Sequence, residues 1–258
     1  HVFSSKSSTA PNAKALQKEL KKLQRDLPEP SVDGSVFVRF DEQRLDLCRC
    51  VITGPVDASK TGGIDTPYAY GFFVFDIWFP PTYPSVPPLV EITTTGGGTY
   101  RFNPNLYADG KVCLSLLGTW KASDESEKWD PSTGSLRQIL LSIQHQILVS
   151  EPYFNEPGRD VARGTSAGKK ASAAHNQELR NATLRYAVAD QLSSPPMGLE
   201  EVCEQHFGLV APDLLKRTAQ DLAGAEPAAH RALHRAAAAL AERASQPPAK
   251  RRKSSESD

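Results

Sequence analysis

Four segments with the composition of β-strands follow one another between residues 35 and 94, and this run constrains the fold more than any other feature of the sequence. They are SVFVRF at 35–40, LDLCRCVITG at 45–54, GFFVFDIWFP at 71–80 and PLVEITT at 88–94. Alternation and β-branched or aromatic residues mark the segments, and turn residues bound them. Because consecutive strands joined by turns usually pair as antiparallel neighbours, the sequence predicts a four-stranded antiparallel meander.

Helical patterns flank the strands on both sides. Leu16, Leu20, Leu23 and Leu27 recur at helical spacing, and Pro28 ends the predicted N-terminal helix. A Gly-, Ala-, Lys- and Ser-rich link is predicted at 164–174. Further helices are predicted at about 134–149, 175–192, 199–206, 212–223 and 228–244. The expected architecture is α+β, with a helix, the meander, a long loop and C-terminal helices that continue into a helical extension.

These patterns divide the chain into four parts. Residues 1–12 are predicted to be disordered, 13–160 to form the core domain, 161–244 a helical extension, and 245–258 a disordered basic and Ser-rich tail. No signal-peptide pattern and no apolar run near 18 residues occurs, so we expect a cytoplasmic protein. The run Lys250–Lys253 resembles a short nuclear import signal, which makes nuclear import the alternative.

Charge and cysteine content exclude several classes of function. Acidic and basic residues balance at 30 each, so net charge predicts neither nucleic-acid nor membrane binding. Four cysteines, Cys48, Cys50, Cys113 and Cys203, are too few for a disulfide framework, and we expect reduced thiols. Because Cys48 and Cys50 share one face of a strand, they do not form a usual zinc pair. The sequence predicts no metal site and no cofactor.

Cys113 stands in a region, from 96 to about 134, where periodicity is poor and Pro, Gly and Asn are frequent. A long ordered loop of this kind is typical of functional sites. An inert, packed side chain is the ordinary interpretation of a free cysteine. The turn-rich surroundings and the triplet Asn103-Pro104-Asn105, whose last residue lies eight positions before the cysteine, favour a reactive thiol instead.

The residues around Cys113 do not suit a cysteine protease. Asp109 is the only nearby carboxylate, and His145 lies between apolar positions of a predicted helix. A thiol that receives an acyl group already activated as a thioester needs no strong base. Later attack by an amine does require a donor to the oxyanion, and the amide side chain of Asn105 is the candidate.

Together these motifs resemble the ubiquitin-conjugating enzyme family. Family members carry a His-Pro-Asn triplet about eight residues before the catalytic cysteine and a Trp shortly after it, which match 103–105, Cys113 and Trp120. The Tyr-Pro-x-x-Pro-Pro turn that begins at Tyr83 and the Trp-x-Pro at 129–131 also match. The resemblance covers roughly 13–158 and implies the ubiquitin-conjugating fold.

Further stretches narrow the resemblance to the large-domain class. The segments ILVSEPYFNEPG, RGTSAG and RNATLRYAVADQL are most similar to the conjugating domain of hybrid conjugating enzyme and ligase proteins of the inhibitor-of-apoptosis type. A separate single-domain enzyme of the same class is the alternative. In either case the resemblance implies an acyltransferase of the ATP-dependent ubiquitin pathway.

The resemblance also implies roles for individual residues and partners. Cys113 would take ubiquitin from the ubiquitin-activating enzyme as a thioester and pass it to a lysine of a protein substrate. Asn105 would stabilise the oxyanion or hold the neighbouring loop. Glu156, with Glu151 as the weaker alternative, would orient or deprotonate the lysine. The supporting residues of the active site would be Asn103, Pro104, Trp120 and Tyr83.

Two positions depart from the family pattern. Asn103 replaces the usual His, whose family role is mainly structural, so we expect catalysis to survive. Ser85 stands where many members place a Phe that docks ubiquitin ligases, on a surface that would also include Val86 and Pro131. We therefore expect weak docking to common ligases, which would fit a hybrid that selects its own substrate.

Two other functions stay open at this point. One is a conjugating enzyme for a ubiquitin-like modifier, which nothing in the sequence opposes. The other is a non-catalytic ubiquitin-binding scaffold of the same fold, which the full motif context of Cys113 disfavours. A thioester assay with different activating enzymes separates these alternatives.

Overall fold

The computed structural model describes residues 1–6, 13–31, 34–56 and 66–221, together with residue 238. Helix α1 precedes four strands, and the strands pair in the order β1-β2-β3-β4, each antiparallel to the next. The elements are α1 (Ala13–Asp26), β1 (Val36–Phe40), β2 (Leu47–Thr53), β3 (Phe72–Trp78) and β4 (Leu89–Ile92). The predicted α+β fold with its antiparallel meander is confirmed.

Helices make up most of the chain after the long loop. The regular ones are α2 (Leu136–Ser142), α3 (Ser166–Ala182), α4 (Asp190–Ser193) and α5 (Glu200–Asp221). Wider π-helical turns extend α2 over Ile143–Ile147 and join α3 to α4 over Thr183–Ala189. Among the described residues, no helix combines the length and the apolar character that crossing a membrane would require.

The helical extension differs from the prediction in two places. The stretch 164–174 is mostly helix rather than link, because Thr165 accepts a hydrogen bond from the Gly168 amide and caps α3. The separate helices predicted at 199–206 and 212–223 are one helix, which continues through Pro212. Apolar packing on both sides of the proline outweighs the backbone bond that the ring removes. The helix predicted at 228–244 lies outside the described residues.

Each face of the sheet carries its own apolar cluster. The register pairs Ile52 with Phe73 on the inner face, which packs against α1 and α2. It pairs Val51 with Val74 on the outer face, which the helical extension covers. The helical side chains of this outer cluster include Leu184, Val188, Leu192, Leu199, Cys203, Phe207, Val210 and Leu214. The sheet is thus the middle of three layers.

Residues 1–6 depart from the disorder predicted for 1–12. Phe3 is buried, and the backbone amide of Val2 donates to an oxygen of Asp76 at 2.7 Å. The ammonium of Lys6 lies 5.7 Å from the centre of the Trp78 ring. Asp76 and Trp78 alternate along β3 with the residues of the inner face, so their side chains lie on the outer face. Residues 1–6 therefore cover a polar part of the outer face. Residues 7–12 lie outside the described residues.

Candidate active site

Cys113 lines a groove of about 750 Å³ between the loop that follows β4 and helix α2. One wall is formed by side chains of the segment 114–127, directly after the cysteine. The other wall is formed by residues 137–147 of α2 and its π-helical turn, together with Asn155. Cys113 itself is only 2% exposed. The thiol is therefore nearly enclosed by the groove that it lines.

Asn105 and Cys113 hold each other through two hydrogen bonds. The amide of Cys113 donates to the Asn105 carbonyl at 2.8 Å, and Asn105 Nδ2 donates to the Cys113 carbonyl at 2.9 Å. The side-chain amide therefore holds the loop, which is one of the two roles expected for it. The Nδ2 group carries two hydrogens, so its second N–H is left to meet an oxyanion on an acyl group at Cys113 while the first keeps this carbonyl.

Asn103 anchors the triplet 103–105 through the hydrogen bonds of its side chain. Its side chain is buried, and Nδ2 donates to the Tyr68 hydroxyl and to the Ile147 carbonyl, each at 2.9 Å. Its Oδ1 accepts the backbone amide of Asn105 at 2.8 Å. Burial raises the pKa of Tyr68, which keeps that hydroxyl protonated so that it donates to the Phe102 carbonyl. Asn103 thus connects the end of α2 to the residue that holds Cys113.

Glu156 lies beside the groove but, among the described residues, is not one of those that line it. Its carboxylate is 3.5 Å from Arg101 Nη2. The same guanidinium donates to the carbonyls of Asn103 and Pro104, at 3.2 and 2.7 Å, and stacks on the Tyr107 ring. In this arrangement Glu156 is tied to the backbone of the triplet rather than directed at the cysteine.

The other predicted supporting residues divide into two groups. Pro104 is buried within the triplet, and Trp120 lines the groove together with Cys113. Tyr83 is not brought to the groove. Its hydroxyl donates to Glu19 on α1 at 2.8 Å, and its ring packs on Phe79, with ring centres 4.8 Å apart. The structure therefore places Tyr83 under the turn that would dock a ligase.

The predicted docking surface is exposed. Ser85 and Pro131 are exposed, and Val86 is 42% exposed. Trp129 Nε1 donates to the Pro84 carbonyl at 2.8 Å and so joins the turn carrying Ser85 to the segment carrying Pro131. That these residues form a docking surface for ligases stays a prediction.

The remaining cysteines have surroundings unlike those of Cys113. Cys48 and Cys50 are fully buried in the inner cluster, and burial raises the pKa of both thiols well above the usual value. Cys203 is buried in the outer cluster. Of these four buried cysteines, Cys113 is the one that lines the groove.

Sequence reasoning did not single out several residues of the groove. Asn155 lines it and stands directly before Glu156 in the motif. Glu127 accepts hydrogen bonds from the Ser123 amide at 2.8 Å and the Ser115 hydroxyl at 3.3 Å, and so closes the wall that follows the cysteine. His145, taken as a packing or surface residue, is exposed on the opposite wall. A search for charged residues in this motif does not identify Asn155, because its side chain is neutral.

Comparison with known proteins identifies the class. The sequence profile described as Ubiquitin-conjugating enzyme matches residues 15–182, and the chain belongs to this family. It is 49% identical over 202 residues to the human protein named Dual E2 ubiquitin-conjugating enzyme/E3 ubiquitin-protein ligase BIRC6, which covers 78% of this chain and 4% of that relative. The predicted family and the predicted similarity to a hybrid of conjugating enzyme and ligase are both confirmed.

Relatives in other lineages show the same similarity. The chain is 46% identical over 204 residues to Probable ubiquitin-conjugating enzyme protein 17 of Caenorhabditis elegans, covering 79% of this chain and 26% of the relative. It is 41% identical over 232 residues to Probable ubiquitin-conjugating enzyme E2 25 of Arabidopsis thaliana, covering 88% and 35%. The chain spans only a small part of the length of these relatives.

Proposed function

We propose that this chain is a ubiquitin-conjugating enzyme that accepts ubiquitin on Cys113 as a thioester and transfers it to a lysine amine of a protein substrate. The observation that carries the proposal is the position of Cys113 in the groove, with its backbone held on both sides of the residue by Asn105. Membership of the ubiquitin-conjugating enzyme family supports the choice of modifier and of chemistry.

Two acyl transfers make up the proposed reaction. In the first, Cys113 Sγ attacks the thioester carbon that links ubiquitin to the activating enzyme, a new carbon–sulfur bond forms, and the old thiol leaves. One thioester replaces another, so no strong base is needed. In the second, an amine attacks the new thioester, Asn105 Nδ2 donates to the oxyanion, the carbon–sulfur bond breaks, and Cys113 leaves as the thiol. The bond from Nδ2 to the Cys113 carbonyl holds the carboxamide beside the reacting residue.

Glu156 and Asn103 have supporting roles in this proposal. Glu156 holds Arg101, which donates to two carbonyls of the triplet, so the carboxylate stabilises the loop behind the cysteine. Asn103 fixes the triplet to α2 and takes the structural part that His has in the family pattern.

The proposed partners are ubiquitin, the ubiquitin-activating enzyme, a protein substrate and a ubiquitin ligase. The name of the human relative describes both activities in one protein, and we extend this to the protein that contains the present chain. Ser85 presents a small polar side chain beside Val86 on the docking surface, so generic ligases would bind weakly. Titration with a generic RING domain tests this. Ordinary affinity, and no gain with Ser85→Phe, would contradict it.

The proposal is tested by incubating the chain with ubiquitin, its activating enzyme and ATP, followed by a non-reducing gel. We expect an adduct that thiol reagents remove and that Cys113→Ala lacks. Cys113→Ser would give an adduct that resists thiol reagents, because it is an oxygen ester. Cys203→Ala is the matched control, since it removes a cysteine from the outer cluster, away from the groove.

Each alternative gives a different result in this assay. Loading only with the activating enzyme of a ubiquitin-like modifier would change the modifier and keep the chemistry. Binding of ubiquitin without an adduct under any activating enzyme would indicate the scaffold. An adduct that persists in Cys113→Ala would place the acceptor elsewhere.

A further inference from the structure

The family pattern assigns Glu156 as the residue that orients the incoming amine, but Glu156 is already paired with Arg101. Glu156 is 34% exposed on its side chain and pairs with Arg101 at 3.5 Å. That guanidinium is itself fixed by the carbonyls of Asn103 and Pro104 and by stacking on Tyr107. Glu156 therefore faces Arg101, and among the described residues it is not one of those that line the groove.

Asn155 lines the same groove as Cys113 and Asn105, and its orientation is fixed by its neighbours. Nδ2 donates to the Gln146 carbonyl at 3.0 Å and lies 3.5 Å from Asn103 Oδ1. Both neighbours are acceptors, because Asn103 Oδ1 already receives the Asn105 amide. The nitrogen of the Asn155 carboxamide must therefore face them, which assigns Oδ1 to the opposite end.

Asn155 Oδ1 accepts no hydrogen bond within the part of the chain that the structure describes. A fixed carboxamide oxygen with free lone pairs is a suitable acceptor for an N–H group. The π-helical turn of α2 makes this geometry possible, because it presents the Gln146 and Ile147 carbonyls to two asparagines, Asn155 and Asn103. π-Helical turns, which insert an extra residue into an α-helix, are frequent at functional sites.

We propose that Asn155 Oδ1 accepts an N–H of the attacking amine and orients its nitrogen toward the thioester carbon on Cys113, with Glu156 acting behind it through Arg101. This inference rests on the proposed function. A lysine ammonium first gives a proton to solvent water. Its nitrogen then bonds to the thioester carbon, the carbon–sulfur bond breaks, Cys113 leaves as a thiolate, and the nitrogen gives a second proton to water. Asn155 holds the nitrogen and takes no proton.

The test is single-turnover discharge of the full chain, loaded with ubiquitin on Cys113, by free lysine at several concentrations. We expect Asn155→Ala to load at the wild-type rate and to discharge about tenfold more slowly at each lysine concentration, as for loss of one hydrogen bond. Asn155→Asp replaces the donor nitrogen by an oxygen that faces the Gln146 carbonyl and Asn103 Oδ1, so it loses the fixed orientation, and its rate should lie between those of Asn155→Ala and wild type. Asn181→Ala, which removes a carboxamide from α3 outside the groove, is the matched control.

β-Mercaptoethanol serves as a second nucleophile, because its thiol attacks the thioester but carries no N–H group. A lost contact to the amine slows discharge by lysine and leaves discharge by the thiol unchanged, whereas a deformed groove slows both. Equal losses with the two nucleophiles, or a normal rate for Asn155→Ala, would each overturn the inference. So would a tenfold loss in Glu156→Gln combined with a normal Asn155→Ala. Wild-type protein that does not load would contradict the proposed function itself, and this inference with it.

Discussion

At the scale of single residues, the site depends on one buried carboxamide. Asn103 bonds to the Tyr68 hydroxyl, to the Ile147 carbonyl and to the Asn105 amide, so it joins three separate segments. A single asparagine supplies two donors and one acceptor here, and a buried position makes each of these bonds costly to lose. Asn103 therefore fixes the triplet through three hydrogen bonds, at the position where the family pattern described above has His.

Replacing Asn103 by Ala is expected to lower the free energy of unfolding by about 2–4 kcal/mol, because buried polar groups on three segments lose their partner. Urea denaturation of the unloaded protein measures this. Loading of Cys113 should also slow, since Asn105 is no longer anchored. Asn181→Ala is the control for removal of a less buried asparagine. A change below about 0.5 kcal/mol, the range of ordinary surface substitutions, would show that the network is replaced by water.

At the scale of elements, a carboxylate on α1 organises the start of α2. Glu19 is buried, and its two oxygens accept the Leu136 amide and the Tyr83 hydroxyl, each at 2.8 Å. Negative charge at a helix N-terminus is favourable, and the Ser135 capping box completes the same end of α2. Burial, and then the nearby Glu19, raise the pKa of Tyr83, so its hydroxyl stays a donor. The Glu19 side chain thus connects α1, α2 and the turn that begins at Tyr83.

Glu19→Ala is expected to destabilise the fold by about 2–3 kcal/mol, because it leaves two buried donors without an acceptor. Glu19→Gln keeps one acceptor oxygen and should cost less. Denaturant unfolding measures both variants, and Glu29→Ala, an exposed glutamate just beyond α1, is the control. Equal stability of Glu19→Ala and Glu29→Ala would contradict the role of Glu19.

The elements also show why some features follow from the sequence and others do not. Strands and α1 have strong local periodicity, so their positions are predictable to within a few residues, and the spacing of the triplet to Cys113 is a local pattern as well. Helix α3 begins in a Gly- and Ser-rich stretch because of the Thr165 cap, and α5 passes Pro212 because of packing with the sheet. The contact of Asn155 with Gln146 and Asn103 depends on the tertiary fold, which no local pattern encodes.

At the scale of the whole molecule, α5 is held on the sheet partly by a histidine that must stay uncharged. His206 Nε2 is 3.0 Å from the Tyr70 carbonyl, and its ring packs near Phe72 and Phe207. Burial lowers the pKa of His206 below its usual value, although the bond to Tyr70 acts in the opposite direction. Protonation of His206 therefore opposes the packing of α5.

Acid is accordingly expected to destabilise the protein through His206. Below about pH 6.5 the unfolded chain binds a proton there that the folded chain does not, so stability falls as the pH falls toward the lower folded-state pKa. The slope from one such group reaches at most about 1.4 kcal/mol per pH unit. His206→Gln can keep the hydrogen bond without titrating. Unfolding at pH 7.5, 6.5 and 5.5 should give a flatter profile for this variant, and parallel profiles would contradict the role.

The predicted core domain, 13–160, ends before the helices that cover the outer face. A chain truncated after residue 160 would expose Val51, Phe72 and Val74 together, which forms an apolar patch of the kind that promotes association. We expect such a chain to self-associate and to bind hydrophobic dyes, and a chain ending at residue 221 to stay monomeric. Size-exclusion chromatography separates these results. A monomeric, dye-negative truncated chain would show that the core stands alone.

The three-layer arrangement also has a consequence for the order of events during synthesis. The last strand ends at Ile92, whereas the outer cluster is completed only at Leu214. Roughly 120 residues must be translated in between, which takes about 6 to 24 s at ordinary rates of elongation. A sheet that pairs within this interval would carry an uncovered apolar face on its outer side. We therefore expect the nascent chain to be most open to association and to chaperone binding before α5 has emerged.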